Sequence, residues 1–316
     1  MDSNKPLDQG LIFRTWLPLA ASWILMGAEL PLLSAIIARL EDPTIHLAAY
    51  SSIVFPLALV IESPIIMMLT ASTALSRDQN SYEKLWKVMT WMSFVLTLLH
   101  VAIAFTPFYD TVVELLVKDP EALAKIREPG RIGLQIMTPW TWSIAHRRFH
   151  QGVLIRFGKA RVVGWGTGVR LVADAVILFI GFTLAKYQGI VVATSAVAVG
   201  VIVEALYIRW KVEPILQGPL KEAEPKEPLI TMREVILFYL PIAFAPTIGL
   251  LGQPILTRAM SQLPVPLMTL AVWPTLNSLI FMLRSAGIAY SEVVITLLDH
   301  PDGRKQLRRF AITLSL

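Results

Sequence analysis

The sequence predicts an all-α, polytopic membrane protein made of two parallel repeats of six helices, the second of them truncated. Its 316 residues are 55% hydrophobic and only 16% charged, whereas soluble domains average about 25% charged residues. The apolar residues form blocks of about twenty to thirty, long enough to cross a hydrocarbon core of about 30 Å. These blocks lack the polar face that the helices of a large soluble core would show.

Eight apolar blocks are predicted to be membrane helices, followed by the beginning of a ninth near Phe310. Between the third and fourth blocks, Pro107–Arg131 is too polar to cross. Its single apolar side predicts that this segment lies in the membrane interface. The eight predicted helices are 15–38, 47–76, 86–106, 132–157, 160–185, 189–210, 234–260 and 266–298.

The distribution of Lys and Arg over the loops predicts a cytoplasmic amino terminus. Of the 28 basic residues, 19 fall on the side that includes the amino-terminal segment and 7 on the other, and cytoplasmic loops carry such an excess. We therefore expect a multi-pass protein of the plasma membrane, or of the inner membrane in a bacterium. The basic cluster His146–Arg161 would lie at a cytoplasmic helix end, as a topology anchor or in contact with anionic lipid headgroups.

A polar segment rich in Pro, Lys and Glu, Glu213–Leu229, interrupts the apolar pattern. Such a composition is typical of a linker. It predicts a first six-helix bundle over residues 1–212 and a cytoplasmic linker over 213–229. Residues 230–316 would then form the start of a second bundle, with helices seven and eight and the beginning of helix nine. A complete second bundle would need further helices.

An internal repeat supports this division. W16-L-P-L-A20 matches Y239-L-P-I-A243, and L47-A-A-Y50 matches L270-A-V-W273, both at the same offset along the chain. Six helices return the chain to the side where it began, so the two copies would be parallel and related by an axis along the membrane normal. Two single-residue matches share this offset, Pro31 with Pro254 and Leu40 with Leu263.

Five charged residues in the middle of predicted membrane helices are the candidate ion- or substrate-binding residues. An ionised side chain at the bilayer centre costs about 2.5–3.5 kcal/mol on insertion scales, so such residues normally face a partner or a water-filled cavity. Two more carboxylates, Glu204 and Glu292, fall nearer the cytoplasmic helix ends, where water could solvate them. The five candidates are Glu29, Glu62, Arg170, Asp174 and Arg284.

Glu29 and Glu62 each precede a proline by two residues, Pro31 and Pro64. A proline removes a backbone donor, so Pro64 frees the carbonyl of Val60. Irregular helix at membrane depth is tolerated where it is buried or lines a cavity. The pattern predicts a cation or proton site at each carboxylate, and the alternative is a buried ion pair that ties helices together.

The remaining candidates suggest charge pairing. Arg170 and Asp174 are four residues apart and can pair along one helix face, either in a functional role or simply to neutralise each other. The repeat offset aligns Arg284 with the position next to Glu62. We expect Glu62 to face the space between the two bundles. There it would share a proton with Glu29, or form a gate or tie with Arg284.

The sequence contains no pattern that predicts an enzyme. It has no cysteine, which excludes disulfides, thiol nucleophiles and thiolate metal sites. No G-x-x-x-x-G-K-[ST] phosphate-binding motif occurs, and Gly152–Ala160 has the wrong spacing for one. We therefore expect no catalytic residues, no cofactor, no metal site and no nucleic-acid partner. The glycines of G164-W-G-T-G168 predict close helix packing.

Several short motifs resemble the multidrug/oligosaccharidyl-lipid/polysaccharide flippase superfamily, which includes the multidrug and toxic compound extrusion (MATE) exporters. L17-P18, R39-L40 and the run Q151–R161 leading to Asp174 are MATE-like. The progressive ankylosis branch is more similar still, on motifs spread over most of the chain. Those motifs are E29…E41-D42…L47-A-A-Y50, L99-H-V-A-I-A-F105, H150-Q-G-V-L154, L240-P-I-A243 and Q253-P-I-L256.

This resemblance implies a two-lobed, twelve-helix secondary transporter with a central cleft and alternating access. Members of these families export organic solutes, several of them coupled to protons or sodium. The progressive ankylosis branch is associated with efflux of anions such as pyrophosphate, citrate or nucleotides. MATE members often have an aspartate in helix one, where this chain has Glu29 at a different position, so no binding residue is carried over.

The function expected from the sequence is secondary-active export of an organic solute, an anion if the progressive ankylosis branch is the guide. Proton or sodium coupling would drive it, and the partners would be the lipid bilayer, the solute and the coupling ion. The alternative is a flippase for a lipid-linked precursor, whose head group crosses the cleft while its tail stays in lipid. A non-transporting scaffold would not need five charges in mid-membrane.

Overall fold

The computed structural model describes residues 7–184, 186–225, 227–298 and 302–315, and the regular elements in these residues are all helices. The helices are α1 (Gln9–Ile37), α2 (Pro43–Ala49), a π-helical turn (Tyr50–Val54), α3 (Phe55–Ile66), α4 (Met68–Leu75), α5 (Gln79–Phe105), α6 (Phe108–Leu116), α7 (Pro120–Ile136), α8 (Thr138–Arg156), α9 (Ala160–Leu184), α10 (Gly189–Gln217), α11 (Pro219–Glu222), α12 (Met232–Leu250), α13 (Gly252–Met260), α14 (Pro266–Leu297) and α15 (Gly303–Ser315).

Among the described residues, seven helical segments are long and apolar enough to cross a membrane. This confirms a helical chain with several potential membrane spans. The predicted fourth helix, 132–157, is not in this set, because its main part, α8, carries too many polar residues. The seven segments are Gln9–Ile37, Pro43–Leu75, Gln79–Phe105, Ala160–Leu184, Gly189–Glu222, Met232–Met260 and Pro266–Ser291.

Although α8 is polar, it is surrounded by other helices. Helices α3, α4, α5, α9 and α10 all pack against it. Its buried residues follow no single stripe and occur on every side of the helix. In a bundle surrounded by lipid the apolar helices can form the outside, so the most enclosed helix is free to carry the polar groups.

The second predicted helix is one long apolar segment with two irregular points. A π-helical turn occupies Tyr50–Val54, and a break follows at Met67. Pro64 lies inside α3 without ending it. The hydroxyl of Ser63 donates to the carbonyl of Val60 at 2.7 Å, and so satisfies the acceptor that Pro64 leaves without a backbone donor.

Helix α5 begins at Gln79, seven residues before its predicted start at 86, because a capping box fixes its first turn. The Asp78 carboxylate accepts from the backbone N–H of Ser81 at 2.9 Å, and the Ser81 hydroxyl accepts from the backbone N–H of Asp78 at 3.2 Å. A polar first turn does not show in a hydropathy profile, whereas the D-x-x-S spacing indicates a capped helix start.

We expect Asp78→Ala to lower the free energy of unfolding by about 1 kcal/mol, because it removes this N-cap acceptor. Thermal unfolding in detergent would measure the loss. Asp78→Asn is the matched control and should be close to neutral, since Asn caps as well as Asp. An equal loss in both variants would show that the charge of Asp78 matters and the cap does not.

The chain forms two compact units. The larger is Leu33–Trp273, and the smaller combines Met1–Leu32 with Pro274–Leu316. In the smaller unit the Ser278 hydroxyl of α14 donates to the Gly27 carbonyl of α1 at 2.6 Å. Its apolar core comprises Leu7, Ile12, Val293, Leu297, Leu307 and Phe310.

Two predicted boundaries shift in the structure. Helix α15 begins at Gly303 rather than near Phe310, because its first turns are basic and amphipathic. Helix α10 continues through Pro214 to Gln217, so the first residues of the predicted linker 213–229 are helical. The division of the chain into two bundles at this linker stays a prediction.

Helix starts recur at the offset of the sequence repeat. Helix α1 begins at Gln9, and α12 begins at Met232, which is the position that this offset assigns to Gln9. Helix α2 begins at Pro43, and α14 begins at Pro266, which is again the matching position. The same offset therefore relates short sequence matches and helix starts.

Candidate functional site

The larger unit contains a cluster of buried charged and polar side chains, which we call the polar centre. Helix α8 runs through it, and α3, α9 and α10 contribute the other members. With every group ionised, its three carboxylates balance its three guanidinium groups. The buried members are Glu62 of α3, Trp140, Arg147 and Gln151 of α8, Arg170 and Asp174 of α9, and Glu204 of α10. Arg148 of α8 is a half-buried member.

Glu204 is fully buried and is held by several donors. Arg147 Nη1 donates to one carboxylate oxygen, and Gln151 Nε2 donates to the other at 3.1 Å. The two donors are four residues apart on α8, so they lie on the same face one turn apart. Arg170 Nε lies 3.9 Å from Glu204 Oε2. Glu204 therefore ties α8, α9 and α10 together.

Glu62 is only 4% exposed but has a different kind of partner. Trp140 Nε1 of α8 donates to its carboxylate. In the described part of the chain no Lys or Arg comes within ion-pair distance of Glu62; Arg147 and Arg148 act on it from farther away. Its direct hydrogen bond thus comes from a neutral group, whereas Glu204 is bound by a cation.

The predicted pair Arg170 and Asp174 lies one turn apart on α9, and both side chains are buried. Gly200 of α10 packs directly against Asp174. A side chain at Gly200 would overlap with the Asp174 carboxylate and would lie 3.1 Å from Cγ of Arg170. The absence of a side chain at Gly200 therefore leaves the space that this charged pair occupies.

The structure brings together three of the five predicted site residues, Glu62, Arg170 and Asp174. The other two belong to the smaller unit: Glu29 is half-buried on α1, and Arg284 is exposed on α14. The predicted contact of Glu62 with one of them stays a prediction.

Several members of the polar centre were assigned wrongly or missed by sequence reasoning. Glu204 was expected to be solvated near a helix end, but it is buried and paired. Arg147 falls in the predicted cytoplasmic cluster His146–Arg161, yet it lies nine residues before the end of α8, about 14 Å along the helix. The sequence carries no apolar stripe that marks Arg147, because the buried residues of α8 occur on every side of the helix.

The prediction that G164-W-G-T-G168 packs closely is wrong for its first and last glycines. A Cβ built at Gly164 or Gly168 would meet no atom within 4 Å. Only Gly166 is in close packing, where a Cβ would lie 3.1 Å from Ile208 and 3.5 Å from Glu204. The outer glycines therefore do not bring α9 into contact with another described helix.

Among the described residues, no group of three His, Asp or Glu side chains is arranged to hold a metal ion. Comparisons of the chain with protein-family models, with curated proteins and with solved structures each found no match.

Proposed function

We propose that this chain is a secondary-active transporter that exports an organic solute by alternating access, coupled to a proton or sodium gradient. The observation that carries the proposal is the polar centre, in which three carboxylates and two arginines are buried and a third arginine is half-buried. Its members lie on α8 and on α3, α9 and α10, which belong to segments long and apolar enough to cross a membrane. Ionisable groups at membrane depth are costly and are mostly found on ion and substrate pathways. A helix bundle that needed only stability could replace them with apolar side chains.

The recurrence of helix starts supports two parallel repeats, the architecture of many secondary transporters. A side-chain contact recurs with them. Trp16 Nε1 donates to the carbonyl of Ala286 at 2.9 Å, and Tyr239 Oη donates to the carbonyl of Pro64. The repeat offset aligns Trp16 with Tyr239, and it aligns Ala286 with the neighbour of Pro64. Each repeat would thus use an aromatic of its first helix to bind the second helix of the other.

We place the amino terminus in the cytoplasm and the protein in the plasma membrane, or in the inner membrane of a bacterium. Arg147 and Arg148 are part of the polar centre and do not count as loop charges. Without them the excess of basic residues is 17 against 7, which still favours this orientation.

Transport by the full-length protein in proteoliposomes tests the proposal. The vesicles are loaded with a labelled tricarboxylate or nucleotide, and efflux is followed under an imposed proton gradient, a sodium gradient or none. We expect efflux that depends on one of the two gradients, and Glu204→Gln, which breaks the central ion pair, should abolish it. The exposed Glu213 at the end of α10 provides the control variant Glu213→Gln, which should transport normally.

The competing function is a flippase for a lipid-linked precursor. Gradient-independent movement of a fluorescent lipid with an anionic head group across the same vesicles, with no solute efflux, would favour it. Folded protein that moves neither kind of substrate under any gradient would overturn the transporter proposal.

A further inference from the structure

Three consecutive residues of α3 contact helices on two sides. Glu62 is bound by Trp140 of α8. The Ser63 hydroxyl lies 3.1 Å from the hydroxyl of Thr247, on α12. The third residue, Pro64, accepts a hydrogen bond at its carbonyl from Tyr239, also on α12. A change at Glu62 can therefore reach α12 through its immediate neighbours.

The hydroxyl contact between α3 and α12 has two possible arrangements. Ser63 donates to the carbonyl of Val60 at 2.7 Å, and Thr247 donates to the carbonyl of Ala243 at 2.9 Å. Each hydroxyl carries a single proton. Both protons are used on these carbonyls, so a hydrogen bond between Ser63 and Thr247 requires one hydroxyl to turn away from its carbonyl.

Glu62 differs from Glu204 in the kind of group that binds it. Glu204 is bound directly by the guanidinium of Arg147 in a charge-assisted hydrogen bond, whereas Glu62 is bound by a neutral indole. The indole N–H of Trp140 can stay bonded to Glu62 in either state, because a protonated carboxyl group still has an oxygen that accepts. The bond is stronger with the carboxylate, so protonation weakens the link between α3 and α8.

The charged and titratable groups around Glu62 are few. Helix α8 contributes Arg147 and Arg148, and α9 contributes Arg170, all of which act on Glu62 from beyond direct contact. On α5, which also packs on α3 and α8, His100 is buried and its ring bonds the Leu134 carbonyl at 2.9 Å. On α12 the titratable group that faces this segment is Tyr239.

We propose that Glu62 is the residue that carries the coupling proton, and that Ser63 and Pro64 transmit its protonation state to α12. The assignment rests on the proposed transport function and names the coupling ion and its path. When Glu62 gains a proton, its bond to Trp140 weakens and α3 shifts against α8. The Ser63 hydroxyl and the Pro64 carbonyl then change their contacts with Thr247 and Tyr239. Helix α12 thus moves in response to a proton bound in the polar centre.

The first test does not depend on transport. The full-length protein is labelled with ¹⁵N-tryptophan in lipid nanodiscs, and the indole resonance of Trp140 is identified by its loss in Trp140→Phe. We expect this resonance to shift with pH in the native protein and to be independent of pH in Glu62→Gln. A resonance that does not move between pH 5 and 9 in the native protein would overturn the assignment of Glu62.

The second test measures proton-driven efflux in proteoliposomes. We expect Glu62→Gln to reduce the rate of proton-driven efflux at least tenfold while the protein still binds the solute. Tyr239→Phe and Thr247→Val should reduce the efflux rate by a similar factor. In both variants the indole resonance of Trp140 should still shift with pH. The control is Trp16→Phe, which removes the corresponding hydrogen bond to the Ala286 carbonyl, outside the proposed path. Its efflux rate should fall much less. Unchanged efflux in both α12 variants would overturn the transmission path.

If Glu62→Gln does not fold, Trp140→Phe is the alternative variant, because it leaves Glu62 in place. Loss of one hydrogen bond to a charged group should move the pH midpoint of efflux by about one unit, and an unchanged midpoint would contradict the role of Trp140. If the Trp140 resonance titrates but no gradient drives any efflux, the proton site stands and the proposed transport function fails.

Discussion

Replacing Arg147 with methionine is expected to lower the free energy of unfolding by about 3–5 kcal/mol, because it leaves the buried carboxylate of Glu204 without its cation. Glu204 is fully buried, so water cannot replace the lost donor. Gln151 and Arg170 remain nearby, but the former is neutral and the latter is 3.9 Å away. Reversible unfolding in bicelles would measure the change.

The matched control is Arg156→Met, which removes an exposed arginine from the end of the same helix. It should change stability by no more than about 0.5 kcal/mol. Replacing Arg147 and Glu204 together with methionine should recover part of the loss, since a buried ion pair can often be exchanged for apolar groups at little cost. If Arg147→Met is as well tolerated as Arg156→Met, the ion pair does not hold the bundle.

Gly152→Ala is expected to destabilise the protein by about 1–3 kcal/mol through overpacking between α8 and α4. A Cβ at this position would lie 2.5 Å from the carbonyl oxygen of Leu69 and 2.5 Å from Cβ of Ser72. The carbonyl belongs to the backbone, so the helices must separate to make room. Thermal unfolding in detergent would show a lower midpoint than in the native protein.

Gly168→Ala is the control, because it makes the same change in another long helix where a Cβ meets nothing within 4 Å. Alanine favours helix over glycine by about 0.5–1 kcal/mol, so this variant should be neutral or slightly more stable. Gly152→Ala should therefore lower the stability of the protein, whereas Gly168→Ala should not. Equal effects would mean that helix propensity, and not the contact of α8 with α4, determines the result.

The sequence predicted the apolar helices well, because long hydrophobic runs have few other uses. It placed the starts of α5 and α15 too late, at 86 and 310 instead of 79 and 303. The first turns of these helices are polar and are fixed by caps or by an amphipathic face. Such features contribute nothing to hydropathy, so an apolar pattern alone places the starts of these two helices about two turns too late.

The same physics explains which members of the polar centre were predicted. Glu62, Arg170 and Asp174 stand within apolar runs, where a charge is conspicuous. Arg147 stands in a segment with many other charges and so looks like part of a membrane-interface loop. Only its place on an enclosed helix, surrounded by apolar ones, shows that it is buried.

The partner of Glu62 could not be predicted because it depends on how α3 is rotated about its axis. The repeat offset aligns residue numbers in α3 and α14 as though both segments were regular. The π-helical turn Tyr50–Val54 precedes Glu62 and takes up one residue more than an α-helical turn. One residue corresponds to about 100° of rotation, which is enough to direct Glu62 towards Trp140 of α8.

That extra residue also gives the segment Pro43–Leu75 a way to rotate its middle part about the helix axis. A bulge of this kind can migrate along a helix by exchanging one set of backbone bonds for the next, without displacing either end. If the surplus residue passed from Tyr50–Val54 to the existing break at Met67, the intervening stretch would turn by about 100°. Glu62 would then turn away from Trp140, while both ends of the segment kept their positions.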